Sequence, residues 1–312
     1  MDVSIIIINY NTFYLAKAAI ESVFEKTEGI TYEIILVDNN SPDGSGQQLK
    51  DYFNEKIVYL QNSENIGFGR ANNEAVKIAK GRNLFFLNPD TILLNNAVKI
   101  LSDYLDNNPK VGVCGGNLFD ADGNPTHSFA RSMALSIFGI INVLFRNLPE
   151  KIMYRKNIYF NYTNKPLKVF YITGADLMIR KNIFDRLHGF DPDFFMYYEE
   201  VELEYRVSKA GFKVFSVPYA KIVHLEGESF SNKNDRINKN FLSCKIFLNK
   251  TTNQVTLFII YLLVYFLITS RIFIFSIFQK KEKKYIWVRK YKNYGRDLLN
   301  SIHEYMGPDF IE

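Results

Sequence analysis

Cysteine is scarce: the 312 residues hold two, Cys114 and Cys244, with no CxxC spacing and no histidine cluster beside them. That argues against a disulfide framework and a cysteine-ligated zinc site, and it fits a reducing cytosolic setting. No basic stretch precedes the first apolar run, which begins at Val3, and no small-residue cleavage site follows it. A secretory signal is therefore not expected. Strong charge of one sign is missing too, because a net charge of +5 is too weak to argue a nucleic-acid partner. No segment repeats at a fixed period. What the chain has in plenty is apolar side chains, 47% of the total, enough for a sizeable core and against wholesale disorder.

The first 110 residues alternate strand and helix. Val3 to Ile8 reads as a strand buried on both faces, followed by an amphipathic helix over about Tyr14 to Phe24. Ile34 to Val37 is a second strand, running into Asp38-Asn-Asn-Ser-Pro-Asp-Gly-Ser45, a run of turn and cap formers. Ile57 to Leu60 is a third, then Asn65-Ile-Gly-Phe-Gly-Arg70 and a helix through about Ala79. Leu84 to Leu87 is a fourth, ending in Asn88-Pro-Asp-Thr91 and a helix to about Leu105. Such alternation predicts an α/β fold with a parallel sheet and helices on both faces. Ligands of these sheets bind outside the carboxyl ends of the strands. Asn9, Asp38, Asn65 and Asp90 all fall there. Each alone is also an ordinary helix cap, but the set on one edge makes a site.

Val111 to Asn117 reads as a fifth strand. Asp120-Ala-Asp-Gly-Asn124 is a turn, and the apolar patch Ala134 to Phe145, between Arg131 and Arg146, is either core or a helix facing an acceptor or a membrane. Strands are expected over Val169 to Thr173, Leu177 to Arg180, Phe212 to Val217 and Ile222 to His224. Between them lies the densest chemistry. Asp191, Asp193, Glu199, Glu200, Glu202 and Glu204 are set among Phe190, Phe194, Phe195, Met196, Tyr197 and Tyr198. A carboxylate against apolar rings is poorly solvated, and its raised pKa suits a base. A plainer reading makes the glutamates the acidic first turns of a helix over about Glu199 to Ala210. That leaves the aromatic run unexplained.

From Val255 to Phe278 the chain is almost wholly apolar, interrupted at Arg271 and followed by Lys280-Lys-Glu-Lys-Lys284, Tyr285 and Trp287. The length suffices for a bilayer core of roughly 30 Å. An arginine inside it costs roughly 2.5 kcal/mol or more, and it divides the run into pieces too short to span. Helices lying in the interface, with lysines on anionic headgroups, are the preferred reading. A single span and a buried hydrophobic hairpin are the alternatives.

Five segments taken together carry a resemblance: Val3-Ser-Ile-Ile-Ile-Ile-Asn-Tyr-Asn11, Ile35-Leu-Val-Asp-Asn-Asn-Ser41, Asn65-Ile-Gly-Phe-Gly-Arg-Ala-Asn72, Phe86-Leu-Asn-Pro-Asp90 and Gly189-Phe-Asp-Pro-Asp-Phe-Phe-Met-Tyr-Tyr-Glu-Glu200. In this order and spacing they resemble the family 2 glycosyltransferases of the GT-A fold, in particular the rhamnosyltransferase-like branch of bacterial surface polysaccharide synthesis. The likeness covers about residues 1–228 and leaves the tail out. It implies a GT-A catalytic domain over 1–240, with 1–110 as the nucleotide-binding half and 111–240 as the acceptor and catalytic half. Residues 241–312 are then a membrane-associating helical tail.

The resemblance further implies inverting transfer of a sugar from a nucleotide-diphosphate donor, dTDP-rhamnose or a UDP-hexose, to a hydroxyl of a lipid-linked glycan. The protein would sit peripherally or monotopically on the cytoplasmic face of the plasma membrane, its tail on the membrane surface. Donor-binding positions would be Asn9, Asp38, Asn40, Asn65, Gly67, Arg70, Asn88 and Asp90, with Arg70 offsetting phosphate charge; Asp176, a less usual residue for its loop, is expected to contact the donor sugar or the acceptor. Asp90 holds the surviving carboxylate of the family's Asp-x-Asp motif. With His224 it would hold Mg²⁺ or Mn²⁺. Glu200, second of the acidic pair, would be the general base, and Tyr198, Glu199, Asp191 and Asp193 would meet the acceptor. Two other classes compete. A nucleotidyltransferase would need a glycine-rich, lysine-bearing loop where Asn9-Tyr-Asn-Thr12 stands. A non-catalytic nucleotide-sugar-binding protein would not need Glu199, Glu200 and His224.

Overall fold

The computed structural model describes residues 1–132, 158–225 and 233–277, together with Val288. Its order begins β1 (Val3–Asn9), α1 (Phe13–Lys26), β2 (Tyr32–Asp38), α2 (Ser45–Phe53), β3 (Val58–Gln61), α3 (Phe68–Val76) and β4 (Asn83–Leu87). It continues β5 (Thr91–Leu93), α4 (Ala97–Asn107), β6 (Val111–Phe119), β7 (Phe129–Ala130), β8 (Leu167–Val169), β9 (Tyr171–Ile172) and β10 (Asp176–Arg180). The last elements are α5 (Lys181–Arg186), α6 (Glu199–Lys209), β11 (Lys213–His224), α7 (Lys233–Thr251) and α8 (Gln254–Ile277).

The main sheet runs β3-β2-β1-β4-β10-β6-β11-β5, with β8 also on β11. β1 to β4 pair in parallel, as the strand–helix alternation predicts, and β10 enters antiparallel between β4 and β6. Side chains alternate across a strand, and β1 uses both faces. Ile5 and Ile7 pack with α1, α2 and α4 residues such as Ile20, Leu49 and Leu101. Ile6 and Ile8 pack with α3, α5 and α6 residues such as Ala75, Phe184 and Leu203. Each such buried side chain contributes about 1.5–3 kcal/mol. That is why β1 reads as an unbroken apolar run rather than as an alternation.

Several expectations need correction, among them the strand expected over Val169 to Thr173, which is split into β8 and β9 in different sheets. The helix after Asn88-Pro-Asp-Thr91 starts only at Ala97, because Thr91–Leu93 pairs as β5 with the end of β11. The two expected pieces over 212–217 and 222–224 are one strand, β11, with a register shift between Ser216 and Lys221.

Chain contacts divide the molecule into two compact units, parting at Arg131 and at Cys244. The first carries the sheet. In the second, Asn253 caps α8 by accepting from the Thr256 backbone N–H, at 2.9 Å. α8 runs unbroken through Arg271, where the sequence suggested two pieces. Arginine is a good helix former, and the Thr269 and Ser270 hydroxyls return to carbonyls of their own helix. Gln254–Ile274 has a mean hydropathy of 2.3 and is long and apolar enough to cross a membrane. The patch 134–145 and the basic run 280–284 lie outside the described residues.

Candidate active site

A cavity of about 400 Å³ opens at the carboxyl edge of the sheet. Ile8, Tyr10, Thr12, Asn39 and Asn65 line one side of it. Asn88, Pro89, Asp90 and His224 form another part of the wall, and Thr173 to Ala175, Phe195 to Tyr197, Glu199 and Glu200 complete it with Phe68 and Lys239.

The strand pairing brings Asp90 to His224. In the β11–β5 ladder His224 faces Thr91, and the Leu225 N–H donates to the Asp90 carbonyl at 2.9 Å. His224 Nε2 then lies 3.4 Å from Asp90 Oδ1, with both side chains largely buried. β4 is tied at the same end, where the Asn88 N–H donates to the Ala175 carbonyl at 3.0 Å.

The acidic pair opens α6. Tyr197 and Tyr198 before it both take positive φ, 69° and 68°. For aromatic residues that conformation costs on the order of 1–3 kcal/mol each, a strain typical of functional loops. α3 holds this loop in place. The Phe68 N–H donates to the Phe195 carbonyl at 3.0 Å, Arg70 Nε to the Pro192 carbonyl at 2.8 Å, and Asn73 bonds both backbone groups of Phe190. Gly67 has φ +87°, and a Cβ there would sit 2.4 Å from the Phe195 carbonyl oxygen. Glycine is needed at that approach.

Glu200 lies over Gly174, whose added Cβ would meet its side chain at 3.6 Å. Burial pushes the Glu200 carboxyl up to about 7, while its own and the Val201 backbone N–H pull it back. Burial and then the Glu200 charge drive Glu199 well above the carboxylate range, and its Oε2 has no hydrogen-bond partner among the described residues. Both carboxyls are therefore raised, and they titrate as a pair whose protons cannot be lost independently.

Two acids lie deeper. Asp176 is fully buried and accepts from the Gly116 N–H; burial raises it to about 7, against that bond and the nearby His224. Glu204 is fully buried one turn after Glu200 and accepts from the Ile172 N–H at 2.9 Å. It therefore anchors the strand that leads into the Thr173–Ala175 wall. Burial, chiefly, raises Glu204 well above its ordinary value. A carboxyl raised on folding stabilises fully below its unfolded pKa and loses that contribution as pH rises toward the folded value. Glu204→Gln removes this titration. Its stability relative to wild type is expected to climb with pH from about pH 5 upward, by up to about 1.4 kcal/mol per pH unit. Urea unfolding across that range checks it, and a flat difference would mean that Glu204 is ionised in the fold.

The structure brings Asn65, Asn88, Asp90, Glu199, Glu200 and His224 into the lining of one cavity. The other sequence candidates do not line it. Asn9 and Asp38 are buried against each other, Asn9 Nδ2 donating to Asp38 Oδ1 at 2.7 Å. Ser41 and Gln61 fill the rest of the Asp38 carboxylate. Asn40 is exposed at positive φ. Arg70, expected at phosphate, braces the 190s loop instead. Asp176 lies beneath the wall. Asp191 accepts from the Asp193 N–H at 3.0 Å within its turn, and Tyr198 bonds Cys244. The sequence reading missed Tyr10, Asn39, Thr173 and Lys239. The signal for Tyr10 and Asn39 was their place beside strand tips already singled out; Lys239 had none.

A family model, glycosyl transferase family 2, matches residues 4–187. An N-acetylglucosaminyl-diphospho-decaprenol L-rhamnosyltransferase of Mycobacterium tuberculosis (strain H37Rv) is 28% identical over 212 residues, covering 63% of this chain and 67% of that protein. The rhamnosyltransferase WbbL of Escherichia coli (strain K12) is 26% identical over 246 residues, covering 74% of this chain and 87% of the relative. Two solved structures share the fold. GalNAc-T7 with UDP, GalNAc and Mn²⁺ superposes with a TM-score of 0.55 at 19% identity, over 73% of this chain and 45% of that one. S. aureus TarS 1-349 in complex with UDP gives 0.52 at 16% identity, over 81% of this chain and 67% of that one.

Proposed function

The chain belongs to glycosyl transferase family 2, and we propose that it transfers a sugar, with inversion, from a nucleotide-diphosphate donor to a hydroxyl of a lipid-linked glycan in bacterial surface polysaccharide synthesis. One observation carries the mechanism: the Asp90–His224 pair and the Glu199–Glu200 pair line the same cavity. The rhamnosyltransferase relatives favour a rhamnosyl donor such as dTDP-rhamnose, with a UDP-hexose as the other choice. The diphospho-decaprenol in one relative's name favours a lipid-linked acceptor.

The donor set fits a divalent cation. Asp90 offers a carboxylate oxygen and His224 an imidazole nitrogen 3.4 Å from it. Among the described residues no group of three or more such ligands exists, which leaves positions for phosphate and water oxygens. Bound there, Mg²⁺ or Mn²⁺ would neutralise the charge that develops on the departing diphosphate. The chain's own residues do the rest. Glu200 takes the proton of the acceptor hydroxyl as that oxygen attacks the anomeric carbon. Because the pair is buried together, adding a second negative charge beside the first is disfavoured. The α3 clamps on the 190–195 loop hold Glu200 in place across the cycle.

A thermal-shift screen tests this reading. With Mg²⁺ or Mn²⁺, dTDP-rhamnose or a UDP-hexose is expected to raise the melting temperature, because a ligand bound only by the folded state stabilises it. Indifference to every nucleotide sugar at millimolar concentration would count against it. α8 supports attachment to a membrane: 24 helical residues measure roughly 36 Å against a hydrocarbon core of roughly 30 Å. The full-length protein is then expected in the membrane fraction until detergent is added. Recovery in the detergent-free supernatant would sink the attachment.

A further inference from the structure

Among the described residues Lys239 is the only lysine or arginine on the cavity wall, and no step above uses it. It stands on α7, beyond the residues matched by the family model. Three observations fix its place. Its ammonium nitrogen lies 5.3 Å from the centre of the Phe195 ring. Ser243, one turn on, donates to the Met196 carbonyl at 2.7 Å. Cys244 bonds Tyr198. One face of α7 therefore follows the segment Phe195 to Tyr198, directly before the acidic pair.

Charge supplies the rest. The wall offers carboxyl groups at Asp90, Glu199 and Glu200, and Arg70 is not part of it. An entering diphosphate needs cations. The Phe195 ring face holds an ammonium without using any of its N–H donors, which stay available for phosphate oxygens.

We propose that Lys239, seated on Phe195 at the cavity wall, is a phosphate-binding residue of the active site. This rests on the glycosyl-transfer reading. The phosphate belongs either to the nucleotide donor or to a lipid-diphosphate acceptor, and both present the same oxygens to the ammonium.

The test uses full-length protein in detergent, as wild type, Lys239→Met and Lys239→Arg. Titration calorimetry with UDP and dTDP reads the donor side. The KM for a short-chain polyprenyl-diphosphate N-acetylglucosamine reads the acceptor side. Lys239→Met is expected to weaken nucleoside diphosphate binding about tenfold or more and to leave the free nucleoside unaffected, with Lys239→Arg recovering much of the loss. Unchanged diphosphate binding with a tenfold rise in acceptor KM assigns the lysine to the lipid phosphate instead. If both stay unchanged in a variant with normal melting temperature, the proposal is overturned. Wild-type protein that binds neither probe would overturn the glycosyl-transfer reading, a different failure.

Discussion

Glu200→Gln is expected to lower turnover by about 10²–10⁴-fold while leaving donor affinity within a few fold. The amide keeps the size and the contact over Gly174 but cannot take a proton. Burial raises this carboxyl to about 7. In wild type, transfer should therefore fall as pH drops below about 7, because a protonated acid cannot serve as the base. The variant's residual rate should lose that limb. Single-turnover transfer with a fixed nucleotide sugar measures both. Near-normal turnover in the variant excludes Glu200 as the base. Glu199→Gln is the control: burial, then the Glu200 charge, raises its carboxyl well above the usual range, so much activity should survive the amide.

Asp90→Asn is expected to cost on the order of 10³-fold, from the loss of a Lewis-acid contribution of several kcal/mol at the leaving diphosphate. The residue is buried at the tip of β4, with His224 Nε2 3.4 Å from its carboxylate. An amide oxygen is a poor substitute for a charged ligand, so the metal-dependent part of donor binding should shrink with turnover. In wild type a chelator is expected to abolish transfer, and Mn²⁺ or Mg²⁺ to restore it. Chelator-resistant turnover in wild type, or an Asp90→Asn variant still titrating with metal, would remove the metal from this site.

Much of this was legible in the sequence because its causes are local. β1 shows as an apolar run because both of its faces are buried, and the tips at Asp38 and Asp90 show because polar residues interrupt such runs. Less visible were features made by distant partners. β5 is three residues long and exists through β11, more than a hundred positions away. The antiparallel entry of β10 between β4 and β6 leaves no periodic trace. Arg70 reads as a phosphate ligand from its motif, yet its partner is the Pro192 carbonyl, fixed only by the folded 190s loop. Asp38 reads as a ligand at a strand tip, but Asn9, Ser41 and Gln61 use its carboxylate. Lys239 carries no motif at all, and it counts only because α7 lies along Phe195 to Tyr198.

The proposed chemistry rests on one carboxylate base taking the proton of the acceptor hydroxyl, whose oxygen displaces the diphosphate from the opposite face in a single step. The anomeric configuration of the new glycosidic bond in the product, read by proton NMR, tests this most directly. Inversion relative to the donor is the expected result. A product that retains the donor's configuration would contradict it, because retention requires a second displacement or a different attacking group.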